Sequence, residues 1–174
     1  GWFTLHDRRH PAGGNIDHVV VGLAGVFVLD TKNWSAAVTE VGEHLQVGGR
    51  ARRGVLWQLG EQATVVRDVM TLSLEPRAGS RPGSGSAVAP VPVLVLAGVD
   101  ADRAATVNAG TIIVGVNRLA SALTRRPGQL SRHAVEEAMR VLSAALPPAD
   151  EPRPAEDATR PKLWSGLNRV LFVR

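Results

Sequence analysis

Asn15-Ile16-Asp17-His18-Val19-Val20-Val21-Gly22-Leu23-Ala24-Gly25-Val26-Phe27-Val28-Leu29-Asp30-Thr31-Lys32-Asn33-Trp34 holds two runs of β-branched and apolar residues on either side of Gly22-Leu23-Ala24-Gly25. Such side chains fit a pleated, half-buried surface, and a short Gly-flanked segment between them has the composition of a hairpin turn. With Leu23-Ala24 as a two-residue loop, Gly22 opposes Gly25. Each step outward pairs the next residues, so Asp17 falls opposite Asp30 and Asn15 opposite Lys32. Directly opposed side chains share a face, and Lys32, two residues beyond Asp30, points the same way. Two carboxylates and an ammonium are thus expected within about 4.5 to 8 Å of one another.

For folding alone this is a poor arrangement, because like charges directly opposite on neighbouring strands destabilise a sheet by up to about 1 kcal/mol. A hard divalent cation such as Mg2+ would remove the conflict, since it takes a few carboxylate oxygens and leaves positions for water and phosphate oxygens. Lys32 would then orient or deprotonate an attacking water, or neutralise charge developing on phosphorus oxygens. The bland alternative is a cross-strand ion pair of Asp17 with Lys32 on a solvated face, which is common and weak.

Working outward, Trp2 to Leu5 reads as a short strand and His6 to Gly14 as a polar, turn-rich stretch. Ala37 to Val41 and His44 to Val47, broken at Gly42, alternate as a further strand and its returning partner. Val55 to Leu74 has apolar residues at helical spacing, including Leu59, Val66, Val69 and Met70. Arg77 to Ser86 is a Gly/Ser/Pro/Arg loop that leads into buried strands at Val91 to Val99 and Thr111 to Val116. Helices are expected over Asn117 to Leu123 and Ser131 to Leu146, the second with Ser131 as N-cap and Pro147-Pro148 as its stop. Pro147 to Pro161 has a linker composition, and Lys162 to Arg174 regains apolar residues that would dock on the core, recruit a partner or begin another region.

The 174 residues, 44% of them hydrophobic, suffice for one sizeable core rather than two full α/β domains. A charged fraction of 21% and mean hydropathy of +0.01 point to an ordinary globular protein. The net charge of +4 with a pI near 10.9 is compatible with a polyanionic partner. Absence of cysteine excludes disulfides, thiolate metal sites and a cysteine nucleophile, and fits a cytoplasmic location. No run approaches the roughly 20 apolar residues that span a bilayer. The P-loop, dinucleotide fingerprint and nucleophile elbow are all missing, which removes nucleotide-hydrolase, dehydrogenase and esterase readings.

The two runs Asn15 to Gly22 and Gly25 to Trp34 closely resemble the nuclease-related domain (NERD) family, of the PD-(D/E)xK, restriction-endonuclease-like superfamily. The similarity extends from about Trp2 to Leu146. It implies an α/β fold with a mixed β-sheet flanked by α-helices, Asp17 and Asp30 as ligands of Mg2+ or Mn2+, and Lys32 as the catalytic lysine. It further implies that Gln62, matching a recurrent helical glutamine, contacts the site or substrate; family members usually also carry a glutamate on a helix before the first strand, which either precedes Gly1 or is absent. The activity expected is hydrolysis of phosphodiester bonds in nucleic acid, with DNA as the substrate. The alternative is an inactive nucleic-acid-binding or targeting module of the same fold. Asp30 stands where many superfamily enzymes carry glutamate, which shortens the reach to a metal by one methylene.

Around this core, Asn15, Asn33, Arg52 and Arg53 are candidates for nucleic-acid contact, the arginines because they follow the site-bearing hairpins. Arg8-Arg9, Arg50 and Arg125-Arg126 are further basic groups that could hold phosphates, though such runs more commonly form solvated faces. His6, His10 and His18 allow a zinc reading, but the first two lie in a Pro/Gly-flanked stretch and His18 should face away from Asp17. Trp34 and Trp57 could stack on bases, although burial in the core is the commoner fate of tryptophan.

Overall fold

The computed structural model describes residues 1–11, 13–73 and 88–150. The expected loop at Arg77 to Ser86, the linker beyond Asp150 and the segment Lys162 to Arg174 lie outside them. The hairpin forms as its composition requires. β2 (Asn15–Gly22) and β3 (Gly25–Trp34) run antiparallel and in register from Gly22↔Gly25 to His18↔Leu29. Gly25 takes φ +132, a conformation open to glycine at little cost.

β1 (Phe3–Arg9) pairs along β2 from Phe3↔Val21 to Arg9↔Asn15, so the strand runs four residues past the expected end at Leu5. His6 to Arg9 are polar because β1 lies at the end of the sheet order, where little covers it; pairing with β2 outweighs its weak apolar pattern. Asp7 within it has φ +45.

β4 (Val38–Val41), β5 (His44–Val47) and β6 (Arg50–Arg52) make a separate three-stranded antiparallel sheet. β7 (Val91–Gly98) and β9 (Thr111–Gly115) are parallel to β3, and β8 (Thr106–Asn108) closes the far edge antiparallel to β9. The large sheet therefore has the order β1-β2-β3-β7-β9-β8, antiparallel on one side and parallel in the middle. β6 and β8 were not expected, since Arg-Ala-Arg and Thr-Val-Asn carry no alternating apolar signal.

Alternation along the strands divides the core in two. Val19, Val21, Val26, Val28, Leu94 and Leu96 face α1 (Val55–Ser73) and α3 (Arg132–Ala145); Val20, Phe27, Leu29, Val93 and Val95 form the second cluster, with Leu123 of α2 (Leu119–Thr124). Leu56, Leu59, Ala63, Val66 and Met70 recur at helical spacing on α1, and all are buried. Trp57 falls between those positions and is 65% exposed, so the expectation that it is a core residue fails. Ser131 caps α3 by accepting a hydrogen bond from Ala134 N at 3.2 Å.

After α3 the expected linker is tied down at its start. Arg9 N donates to Pro147 O, Ala149 N donates to Asp7 O (both 2.9 Å), and Arg8 bridges to Pro148, so these residues run antiparallel along the free side of β1. The small sheet is fixed to the large one by polar contacts. The Arg103 guanidinium donates to Val38 O at 2.6 Å and to Glu40 Oε1 at 2.7 Å, Thr106 and Asn108 also donate to Glu40, and Asp100 accepts from Val38 N.

Candidate active site

The β2–β3 ladder ends at His18↔Leu29, which leaves Asp17 and Asp30 as the first residues beyond the paired part of the hairpin. From there β3 is held on its other side, with Asp30 beside Leu94 and Lys32 beside Leu96 of β7. Both leucines are buried in the cluster under α1 and α3, so Asp30 and Lys32 share that face of the sheet.

The side chains meet. Lys32 Nζ donates to Asp30 Oδ1 at 2.7 Å, with the lysine side chain 36% exposed and the aspartate 15%. The Asp17 and Asp30 carboxyl groups lie close enough to interact. Burial first, then hydrogen bonding with Asp30 and the Asp30 charge, push the Asp17 carboxyl above the usual carboxylate range, against a smaller opposing pull from Lys32 and His18. Two carboxyl groups this close resist double ionisation. The ion pair that forms is Lys32 with Asp30, rather than the cross-strand pair with Asp17.

Gln62, on α1, reaches back to the same corner: its Nε2 donates to Asn15 O at 3.3 Å, two residues from Asp17. Its Oε1 is buried with no hydrogen-bond partner among the described residues. A buried amide oxygen left in that state costs free energy unless something supplies a donor or a cation.

Asn15 is not brought to Lys32, because the β2–β3 ladder stops short of it. Asn15 pairs instead with Arg9, and its Nδ2 donates to Asp7 Oδ1 at 2.6 Å. Asn33, Arg52 and Arg53 are exposed. His18 does lie on the other face, where its Nδ1 is 2.9 Å from His6 Nδ1 with the rings edge to face. Among the described residues no three acidic, histidine or cysteine side chains converge as a metal-binding group, so His6, His10 and His18 form no zinc site. Trp34 packs against the α1-side core, in line with the core reading. Arg50, named in the sequence reading as one basic group among several, lines a cleft beside the end of β3 together with Arg52.

The family model described as nuclease-related domain matches residues 1–95, more than half the chain and all of the hairpin and α1. The chain belongs to the NERD family. Its mixed sheet flanked by helices agrees with the restriction-endonuclease-like fold of the PD-(D/E)xK superfamily. No match was found among curated proteins or among solved structures. In this NERD chain, no helix of the described residues is long and apolar enough to cross a membrane.

A divalent cation is the group this family implies, and the residues fit it. Asp17 and Asp30 bring two carboxyl groups together at a cost that a cation would relieve, and Gln62 Oε1 is a buried oxygen without a donor among the described residues. Two carboxylates with remaining positions left to water and phosphate oxygens is a donor set that suits Mg2+ or Mn2+.

Proposed function

We propose that this chain is a nuclease domain that hydrolyses phosphodiester bonds of nucleic acid, DNA foremost, with Asp17 and Asp30 holding Mg2+ or Mn2+ and Lys32 acting on the reacting phosphate. The observation that carries this reading is the Asp17–Asp30 carboxyl pair with Lys32 Nζ at 2.7 Å on one side of the sheet. When bound, the cation supplies Lewis-acid polarisation of the phosphodiester and a more acidic water.

The remaining chemistry belongs to the chain. Asp30 would hold the cation, and its Oδ1 accepts from Lys32 Nζ and so steers the ammonium. Lys32, partly open to solvent, presents its ammonium to the non-bridging oxygens as negative charge grows on them during attack by water. Gln62 is a positioning residue: by holding Asn15 O it fixes the end of β2, and therefore the direction in which Asp17 points.

Cleavage of a fluorescently labelled DNA duplex and of a single strand, with Mg2+ or Mn2+ and again with EDTA, tests the reading. Wild-type chain is expected to cut only with metal. Asp30→Ala should abolish cutting, and Lys32→Ala should lower it by about 100-fold or more. Asp30→Asn, whose melting curve checks folding, should be equally inactive. Undiminished cutting by a folded Asp30 variant refutes the site.

A second reading, a binding module that does not cleave, is favoured by one observation: only two carboxylates, and no third acidic or histidine ligand, converge among the described residues. Calorimetric titration with Mg2+ separates the two. A chain that binds DNA but takes up no metal and cuts nothing is the module.

A further inference from the structure

Beyond Lys32 the same side of β3 leads into a cleft of about 400 Å³ between the end of that strand and the small sheet. Its walls are Asn33, Trp34 and Ser35 on one side and Val47, Arg50 and Arg52 on the other. Asp30, Lys32 and Trp34 share one face of the strand, so Trp34 in the cleft wall stands two residues, about 7 Å of backbone, beyond Lys32. The volume falls in the range of about 300–1,000 Å³ typical of sites for molecules the size of a nucleotide.

The register decides where the arginines stand. Arg50 pairs with Val47 and Arg52 with Leu45, both buried, so the two guanidiniums stand on the hairpin face turned toward the core and the cleft. Ala51 takes the other face. Neither arginine has an ion-pair or hydrogen-bond partner among the described residues, whereas Arg67, Arg103 and Arg140 are paired with carboxylates and Arg8 donates to Leu146 O. No acidic residue lines the cleft. Arg103 and Glu40 hold the small sheet, which carries the arginines, against the large one, which carries Lys32.

Resting on the nuclease reading for its substrate class, we infer that this cleft carries one strand of nucleic acid past the site, with Arg50 and Arg52 on its backbone phosphates. Guanidinium groups suit phosphate because they present paired donors and never lose their charge. The alternative physical role is protective, since inward charges on an edge strand discourage pairing with another molecule.

Binding of a fluorescein-labelled single-stranded DNA oligonucleotide, and of the RNA of the same sequence, is measured by anisotropy in EDTA over a range of salt, so that cleavage plays no part. Arg50→Ala/Arg52→Ala is expected to weaken binding about tenfold and to lower the salt slope by about 1.4, or 0.7 for each single-strand phosphate that is no longer neutralised. Arg50→Lys/Arg52→Lys should retain most of the affinity, and Arg125→Ala/Arg132→Ala should leave it unchanged. A greater loss with DNA than with RNA names the physiological strand.

Equal affinity and slope for Arg50→Ala/Arg52→Ala and wild type, or no binding by wild type, overturns the inference. Metal-dependent cutting can survive that result. Conversely, arginine-dependent binding by a chain that never cuts sustains the cleft and removes the nuclease.

Discussion

Asp17 is the residue where the fold and the proposed chemistry disagree most. Its carboxyl is raised by burial, by the hydrogen bond with Asp30 and by the Asp30 charge. A folded pKa above the unfolded value means that the folded chain binds a proton more tightly than the unfolded one. Stability from this group is therefore fully present below its unfolded pKa and is lost as pH rises through the raised value. At neutral pH without metal, Asp17 is a burden. Asp17→Asn should stabilise the metal-free chain by about 0.2–1 kcal/mol, seen in EDTA at pH 7 as a melting point up to about 4 °C higher. The gap should close as pH falls through the raised pKa, and Mg2+ should raise the melting point of the wild type but not of Asp17→Asn. Equal melting points at pH 7 and pH 4 would show that the two carboxyl groups do not interact. The opposition of Asp17 and Asp30 was legible in the sequence because a two-residue turn leaves one register. The raised Asp17 carboxyl was not, because it depends on burial that the register does not give.

At the scale of elements, the hairpin and α1 were readable because their apolar residues keep a strict period, two in the strands and 3.6 in the helix. β6, β8 and the outer half of β1 were not. Arg50 to Arg52, Thr106 to Asn108 and His6 to Arg9 are short or polar, and exist as strands only because a longer neighbour offers hydrogen bonds. The end of β3 depends on a similarly close approach. Gly98 of β7 sits beside Trp34 with φ +72, and a Cβ there would lie 2.6 Å from the Trp34 carbonyl oxygen. Gly98→Ala should cost about 1–3 kcal/mol, measurable by urea denaturation, because backbone must move and the conformation is unfavourable for alanine. It should also impair cleavage by moving Lys32, which shares the strand.

For the whole molecule, the question is what holds two sheets in one arrangement. Glu40 is the centre of that attachment. Partial burial alone would raise its carboxyl, but hydrogen bonds from Thr106, Asn108 and Arg103, with the Arg103 charge, outweigh it and hold Glu40 below the usual glutamate range. A depressed pKa gives stability above the unfolded value that is lost as pH falls through the folded one. Glu40→Gln should cost about 1 kcal/mol at pH 7 in chemical denaturation, with the difference from wild type shrinking toward acid pH. Nothing in the sequence announced this cluster, since its members are spread from Glu40 to Asn108 and each is an ordinary surface residue on its own.

The antiparallel contact of Pro147 to Ala149 with β1 has a consequence for how copies of this chain behave together. A bare outer strand with open amides invites the same strand of another molecule, and a tethered segment lying along it denies that template. The few residues after α3 thus serve as a built-in guard against edge-to-edge polymerisation, and a chain trimmed at Leu146 should cluster on concentration where the longer one stays dispersed.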